Sequence, residues 1–305
     1  MNSARLRAYI YLLIVALIWG LAGPVIKLTL KGLPPDVFLL YRFFLSAALA
    51  FGIFIFRPFR FPKDKKTFWI LLLYALLSST ISLGLLFWGT DKTSLIDMSL
   101  ISLFAPLLSI FAGYSFLKEH ITLREKVGIL IAFVGSSIIL IEPILKMNGG
   151  SGAFIGNLLV FGSLIAGVIA GVLLKKMLRE NIDPTGLANF SFIVGFITLL
   201  PIVLVTKGFQ GTLSSIETLP FIYHLGVFYM AIFSGTIAYA LLNMSYKTIE
   251  LSEAALFSYL YPIFSAILAI LFLGDKLTPV AVVGSVITFI GVFIAEVKRR
   301  KVIRP

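Results

Sequence analysis

The chain alternates long apolar runs with short polar connectors. A helix needs about 20 mostly apolar residues to cross the hydrocarbon core of a bilayer. Ten runs qualify: 8–30, 37–56, 67–88, 95–117, 127–145, 153–174, 185–205, 221–246, 252–273 and 279–297. Backbone groups in lipid find no water, so these runs predict α-helices. No connector is long enough for a separate domain. The first run is too long for a signal-sequence core and precedes no small-residue cleavage site, so a retained span is expected.

Composition strengthens this reading. Only 13% of the 305 residues are charged and 59% are hydrophobic, where a soluble domain needs about 25% charged residues to cover its surface. The net charge of +12 could signal nucleic acid, but no basic helix face with interleaved polar residues occurs. The basic residues instead set orientation. With the amino terminus inside, connectors and tails on that side hold 19 Lys and Arg, against 6 outside, and Arg42 lies within the second span. This split predicts ten spans with both termini cytoplasmic in the inner (cytoplasmic) membrane. The absence of cysteine removes disulfides and thiolate metal sites.

The chain also repeats itself. A shift of 156 residues aligns Ser78, Thr80 and Leu85 with Ser234, Thr236 and Leu241, and Ser102, Pro106 and Ser109 with Ser258, Pro262 and Ser265. Gly128 and Gly135 align with Gly284 and Gly291, Asp97 with Glu253, and Glu119 with Asp275. Each copy holds five spans, an odd number, so the second is expected upside down. The fold predicted is an all-α integral membrane protein of ten transmembrane helices in two inverted five-helix repeats, residues 1–148 and 149–305. Inverted repeats of this kind let two halves rock about a central site, as in many secondary transporters.

Trp19-Gly20, Tyr41-Arg42-Phe43, the spans holding Pro106 and Pro262, and the segments 116–119 and 272–275, each followed by Thr and a glycine-rich span, resemble the EamA family of the drug/metabolite transporter superfamily. The likeness covers nearly the whole chain. It implies a carrier that exports or exchanges amino acids or related metabolites. It also implies a central cavity lined mainly by spans one, three, four, six, eight and nine. The sixth span departs from the pattern, with no counterpart of Trp19.

Polar residues within spans are the candidate substrate-binding groups, because each needs a partner in lipid. They are Trp19, Ser79 in the cluster 78–82, Ser102, Asn157, Tyr239 and Asn243 one turn apart, Ser258 and Tyr261. Single hydroxyls often bond their own helix instead. Pro24, Pro106 and Pro262 are candidate hinges, since proline removes a backbone donor. Arg42 either snorkels to the headgroups or anchors an anion at the cavity mouth. Small residues, including Ser163, Gly167 and Gly171, and the Gly128/Gly135 and Gly284/Gly291 pairs, are expected mainly at close helix contacts. His120 and His224 are expected to be solvated.

All 14 carboxylates fall at or near span ends, which argues against a buried proton relay and for movement down the substrate gradient. No carboxylate cluster for a metal and no phosphate-binding loop occurs, so no cofactor and no metal are expected, and a membrane-embedded transferase is disfavoured. A lipid or lipid-precursor flippase on the same scaffold remains the alternative. The expected partners are a small-molecule substrate and the bilayer, with the chain a monomer or homodimer.

Overall fold

The computed structural model describes residues 3–93, 95–146, 154–265 and 279–296, and these are helical throughout apart from connectors. The first two stretches comprise α1 (Ser3–Thr29), α2 (Pro35–Phe56), α3 (Lys65–Ala75), a π-helical segment (Leu76–Ile81), α4 (Ser82–Lys92), α5 (Leu95–Ser102), α6 (Phe104–Leu117) and α7 (Leu123–Lys146). The last two comprise α8 (Phe154–Arg179), α9 (Pro184–Glu217), α10 (Phe221–Ala231), a π-helical segment (Ile232–Ile237), α11 (Ala238–Thr248), α12 (Leu251–Ala255), a 3-10 turn (Leu256–Leu260) and α13 (Pro279–Glu296).

Seven stretches of the described residues are long and apolar enough to cross a membrane: Ser3–Thr29, Pro35–Phe56, Lys65–Lys92, Asp97–Leu117, Phe154–Arg179, Pro184–Glu217 and Phe221–Thr248. Large apolar side chains such as Phe51, Phe56 and Phe293 face outward, as lipid contact requires. The protein is a multi-pass membrane protein. Of the other predicted spans, the fifth corresponds to α7, the ninth lies partly outside the described residues, and the tenth corresponds to α13, with an apolar stretch of Val282–Ala295.

Local chemistry sets the helix ends. Thr122 and Glu125 form a reciprocal capping box before α7, at 2.6 and 3.2 Å. Asp64 caps α3, accepting from the Thr67 backbone N–H at 2.8 Å and its hydroxyl at 3.0 Å. These bonds hold the Asp64 carboxyl below the usual carboxylate range. The depressed value means the cap is present at neutral pH and lost as pH falls through that range.

The seventh span runs longer than its apolar pattern predicted. Gly208, at φ 72° and ψ 164°, breaks α9 in a region of backbone space that only glycine occupies easily. Gly208→Ala should cost about 1–3 kcal/mol, seen as a lower melting temperature in detergent, although a Cβ there meets nothing within 4 Å.

One series of helical elements occurs twice at the 156-residue spacing. The series Lys65–Ala75, Leu76–Ile81, Ser82–Lys92 reappears 156 residues later as Phe221–Ala231, Ile232–Ile237, Ala238–Thr248. Each π segment widens a turn and loosens the carbonyl before it. The matched carbonyls take side-chain donors. Ala75 O accepts from the Ser79 hydroxyl at 2.6 Å, and Ala231 O from the Ser46 hydroxyl at 3.2 Å. Spans four and nine are broken too, at Leu103 and across the 3-10 turn. Pro106 lies in the first turn of α6, and Pro262 just after the 3-10 turn. At such positions a missing N–H costs little. The prolines therefore start new helical segments rather than kink continuous ones, whereas Pro24 does lie inside α1.

Helix α7 packs on α13 through glycine. A Cβ at Gly128 would come within 2.6 Å of the Ala295 backbone N–H and the Gly291 carbonyl. At Gly135 it would meet the Thr288 backbone N–H at 2.5 Å. The glycine pairs of the fifth and tenth spans thus serve close helix contact.

Candidate functional site

The helices surround a cavity of about 330 Å³. Its lining comes from the elements of spans one, three, four, six, eight and nine, with Arg42 added from α2. Many lining residues are partners under the 156-residue shift: Tyr74 and Met230, Ser78 and Ser234, Leu83 and Tyr239, Met98 and Ala254, Ser102 and Ser258, Ala105 and Tyr261. One wall is aromatic. The Trp19 ring meets Tyr239 at 5.2 Å and Tyr261 at 6.1 Å between centroids, both edge-on. The Trp19 indole N–H donates to the Ser234 carbonyl, inside the second π segment, at 3.0 Å. That bond fixes the ring against the cavity, and the wide turn frees the acceptor. Gly20 lets α1 approach this close, since a Cβ there would lie 2.9 Å from Phe264 Cβ and 3.1 Å from the Tyr261 carbonyl.

Asn243 lines the cavity and is fully buried. Its amide nitrogen donates to the Pro184 carbonyl at 3.1 Å, and its carbonyl oxygen has no partner among the described residues. That leaves an acceptor for a ligand. Ser102 and Ser258 line the cavity, but their hydroxyls donate to Met98 O and Ala255 O of their own helices, at 2.8 and 2.7 Å. Arg42 is 1% exposed and lines the cavity, so it does not snorkel to the headgroups. The physical reason is its helix face, which turns inward against Phe87 and Phe192.

Two predicted residues lie elsewhere. Ser79 is fully buried against its own backbone, and Ser78 and Ser82, one position before and three after it, line the cavity instead. Asn157 sits near the start of α8 and accepts from the Thr93 hydroxyl, a tie between helix ends. Tyr74 and Tyr246 line the cavity and were missed by sequence reasoning. Their signal was available: Tyr74 lies one turn before Ser78, and Tyr246 one turn after Leu242, both on lining faces. His120 is exposed, but His224 meets the Tyr41 hydroxyl at 3.2 Å through Nδ1.

Polar ties hold the helix ends on both sides of the cavity. At one end the Lys27 ammonium donates to the carbonyls of Thr90 and Thr93, at 2.7 and 2.8 Å. At the other the Lys175 ammonium donates to the carbonyls of Tyr246 and Ile249, their partners under the 156-residue shift. The Lys175 end carries more. Arg5 pairs with Glu253, which also accepts from the Tyr9 hydroxyl at 2.6 Å. The left-handed turn at Lys118 folds Glu119 back, where it accepts from the backbone N–H groups of Leu251 and Ser252 at 2.8 and 3.0 Å and from the Ser252 hydroxyl at 2.7 Å. A carboxylate on the first N–H groups of α12 satisfies donors that the helix itself leaves open.

A helical membrane protein with a polar-dotted cavity between its spans, tied at both ends by bonds between helix termini, has the build of a transporter. The EamA-like transporter family model matches residues 6–141 and again 154–296, and the chain belongs to that family. Among relatives, the uncharacterized transporter YyaM of Bacillus subtilis is 24% identical over 96% of this chain and 94% of its own length. An uncharacterized transporter of Archaeoglobus fulgidus is 26% identical over 99% of this chain and all of its own. A protein of Escherichia coli named a probable amino-acid metabolite efflux pump is 25% identical over 92% of both chains. One solved crystal structure superposes with a TM-score of 0.73 over 97% of both chains at 15% identity, which is a likeness of fold.

Proposed function

We propose that the chain is a secondary carrier that moves small metabolites, amino acids or related compounds, across the inner membrane by alternating access, without catalysis. Its two halves, 1–148 and 149–305, are five-span repeats, the second inverted, with both termini cytoplasmic. The observation that carries this reading is the cavity itself, lined by residues matched across the 156-residue shift. A two-fold-related lining presents similar surfaces toward either side of the membrane, which alternating access needs. Export or facilitated release fits the name of the Escherichia coli relative and the lack of a mid-span carboxylate.

The test is uptake of labelled amino acids, nucleosides, sugars and organic acids into proteoliposomes, with Asn243→Ala alongside. Saturable uptake of one class is expected, competed by unlabelled solute and lowered at least tenfold in the variant, because both a ligand acceptor and the bond to Pro184 are lost. No uptake above empty liposomes, with a lipid analogue crossing instead, would replace the carrier with a flippase. If a pH gradient alone drives accumulation of a neutral solute, the facilitated mode is wrong.

A further inference from the structure

Among the described residues, Arg42 is a cation with no counter-ion. It is 1% exposed, and its Nε and Nη1 have no hydrogen-bond partner among the described residues. Its guanidinium rests over two aromatic faces, 5.5 Å from the Phe87 centroid and 6.0 Å from that of Phe192. Ring faces attract a cation, but they accept none of its N–H bonds. A buried charge is normally paired, because desolvation costs more than ring contact returns. Among the described residues lining the cavity there is no Asp or Glu, and Arg42 is the one charged side chain.

We infer that the carrier's substrate is an organic anion, a carboxylate on an apolar body, with Arg42 binding the carboxylate. This deepens the proposed carrier function and rests on it. Guanidinium N–H groups form a planar fork that matches a carboxylate in two-pronged fashion. The aromatic wall of Trp19, Tyr239 and Tyr261 faces the same space and takes the apolar body. At about 330 Å³ the cavity is at the small end of ligand sites, which roughly span 300–1,000 Å³, and so suits a metabolite rather than a lipid. A cationic amine gains no partner here and is repelled by Arg42.

The test compares acids with their neutral amides. Melting temperature in detergent is measured with 3-phenylpropionate, octanoate and 4-methyl-2-oxopentanoate, with the matching amides, and with phenethylamine. At least one acid should raise it saturably, and no amide or amine should. Arg42→Lys should keep a weaker response. Arg42→Met should lose it, while melting about 2 °C or more above the unliganded parent, because an unpaired buried charge has gone. A purely structural Arg42 would instead melt lower on substitution. Equal response to acid and amide, no response to any acid, or a full response in Arg42→Met would each overturn the inference. Proteoliposomes separate the two readings. A neutral or cationic solute carried equally by parent and Arg42→Met keeps the carrier and removes the anion. A parent that carries nothing removes the carrier reading, and the melting series still decides whether an anion binds.

Discussion

Replacing Gly128 or Gly291 by leucine should abolish recovery of folded, monodisperse protein from membranes. At both positions the neighbour is backbone of the facing helix, which cannot move aside as a side chain can. A Cβ at Gly128 overlaps the Ala295 N–H and the Gly291 carbonyl, and one at Gly291 overlaps the Ala132 N–H. Forcing even one methylene into a close-packed site costs about 1–3 kcal/mol, and leucine adds three further carbons beyond its Cβ. Separating the helices would also part the Ser136 and Thr288 hydroxyls, which meet at 3.3 Å. Gly52→Leu is the control, because a Cβ there meets nothing within 4 Å. Size-exclusion profiles of the three variants decide the matter. Monodisperse Gly128→Leu and Gly291→Leu would show that α7 and α13 do not meet through these glycines.

Glu119→Ala should unlatch the end of the cavity that Arg5, Glu119 and Lys175 tie together. Removing the carboxylate strands the N–H groups of Leu251 and Ser252. Hydrogen bonds to a charged group contribute about 1.5–3 kcal/mol each, so losing two or three favours opening by tenfold or more. The absence of native cysteine makes the readout direct. A cysteine in place of Ser258, which lines the cavity, should react with a membrane-impermeant maleimide added at that end roughly tenfold faster in Glu119→Ala than in the parent. Gly113→Ala should have a similar effect, since its Cβ would occupy the space of the Glu119 carboxylate. Unchanged labelling in both variants would mean that the bonds hold a helix end and do not gate the cavity.

Sequence reasoning reached the membrane class and the family, and several residues it selected line the cavity, for reasons that particular residues make plain. Trp19, Tyr239, Asn243, Ser258 and Tyr261 were selected because a polar or amphipathic group in lipid needs a partner, and each lies on the cavity. The same rule selected Ser79 and Asn157, where the partners are a carbonyl of the same helix and Thr93. Periodicity could not separate these cases. Ser78 and Ser79 differ by one position, and a π segment rotates the faces that follow it.

The amino-acid order by itself determined that the chain is helical and membrane-embedded. These follow from run length and from the missing surface charge, both local or one-dimensional quantities. Contacts between distant segments decided the rest. Sequence alone leaves Arg42 free to snorkel or to turn inward, and only the packing of α2 against Phe87 and Phe192 buries it on the cavity instead of letting it reach the headgroups. Glu119 reads as a loop carboxylate until the turn at Lys118 lays it on the N-terminus of α12, 132 positions from Leu251. Burial and pairing depend on which helix faces meet, and that is fixed by side-chain packing summed over the whole bundle.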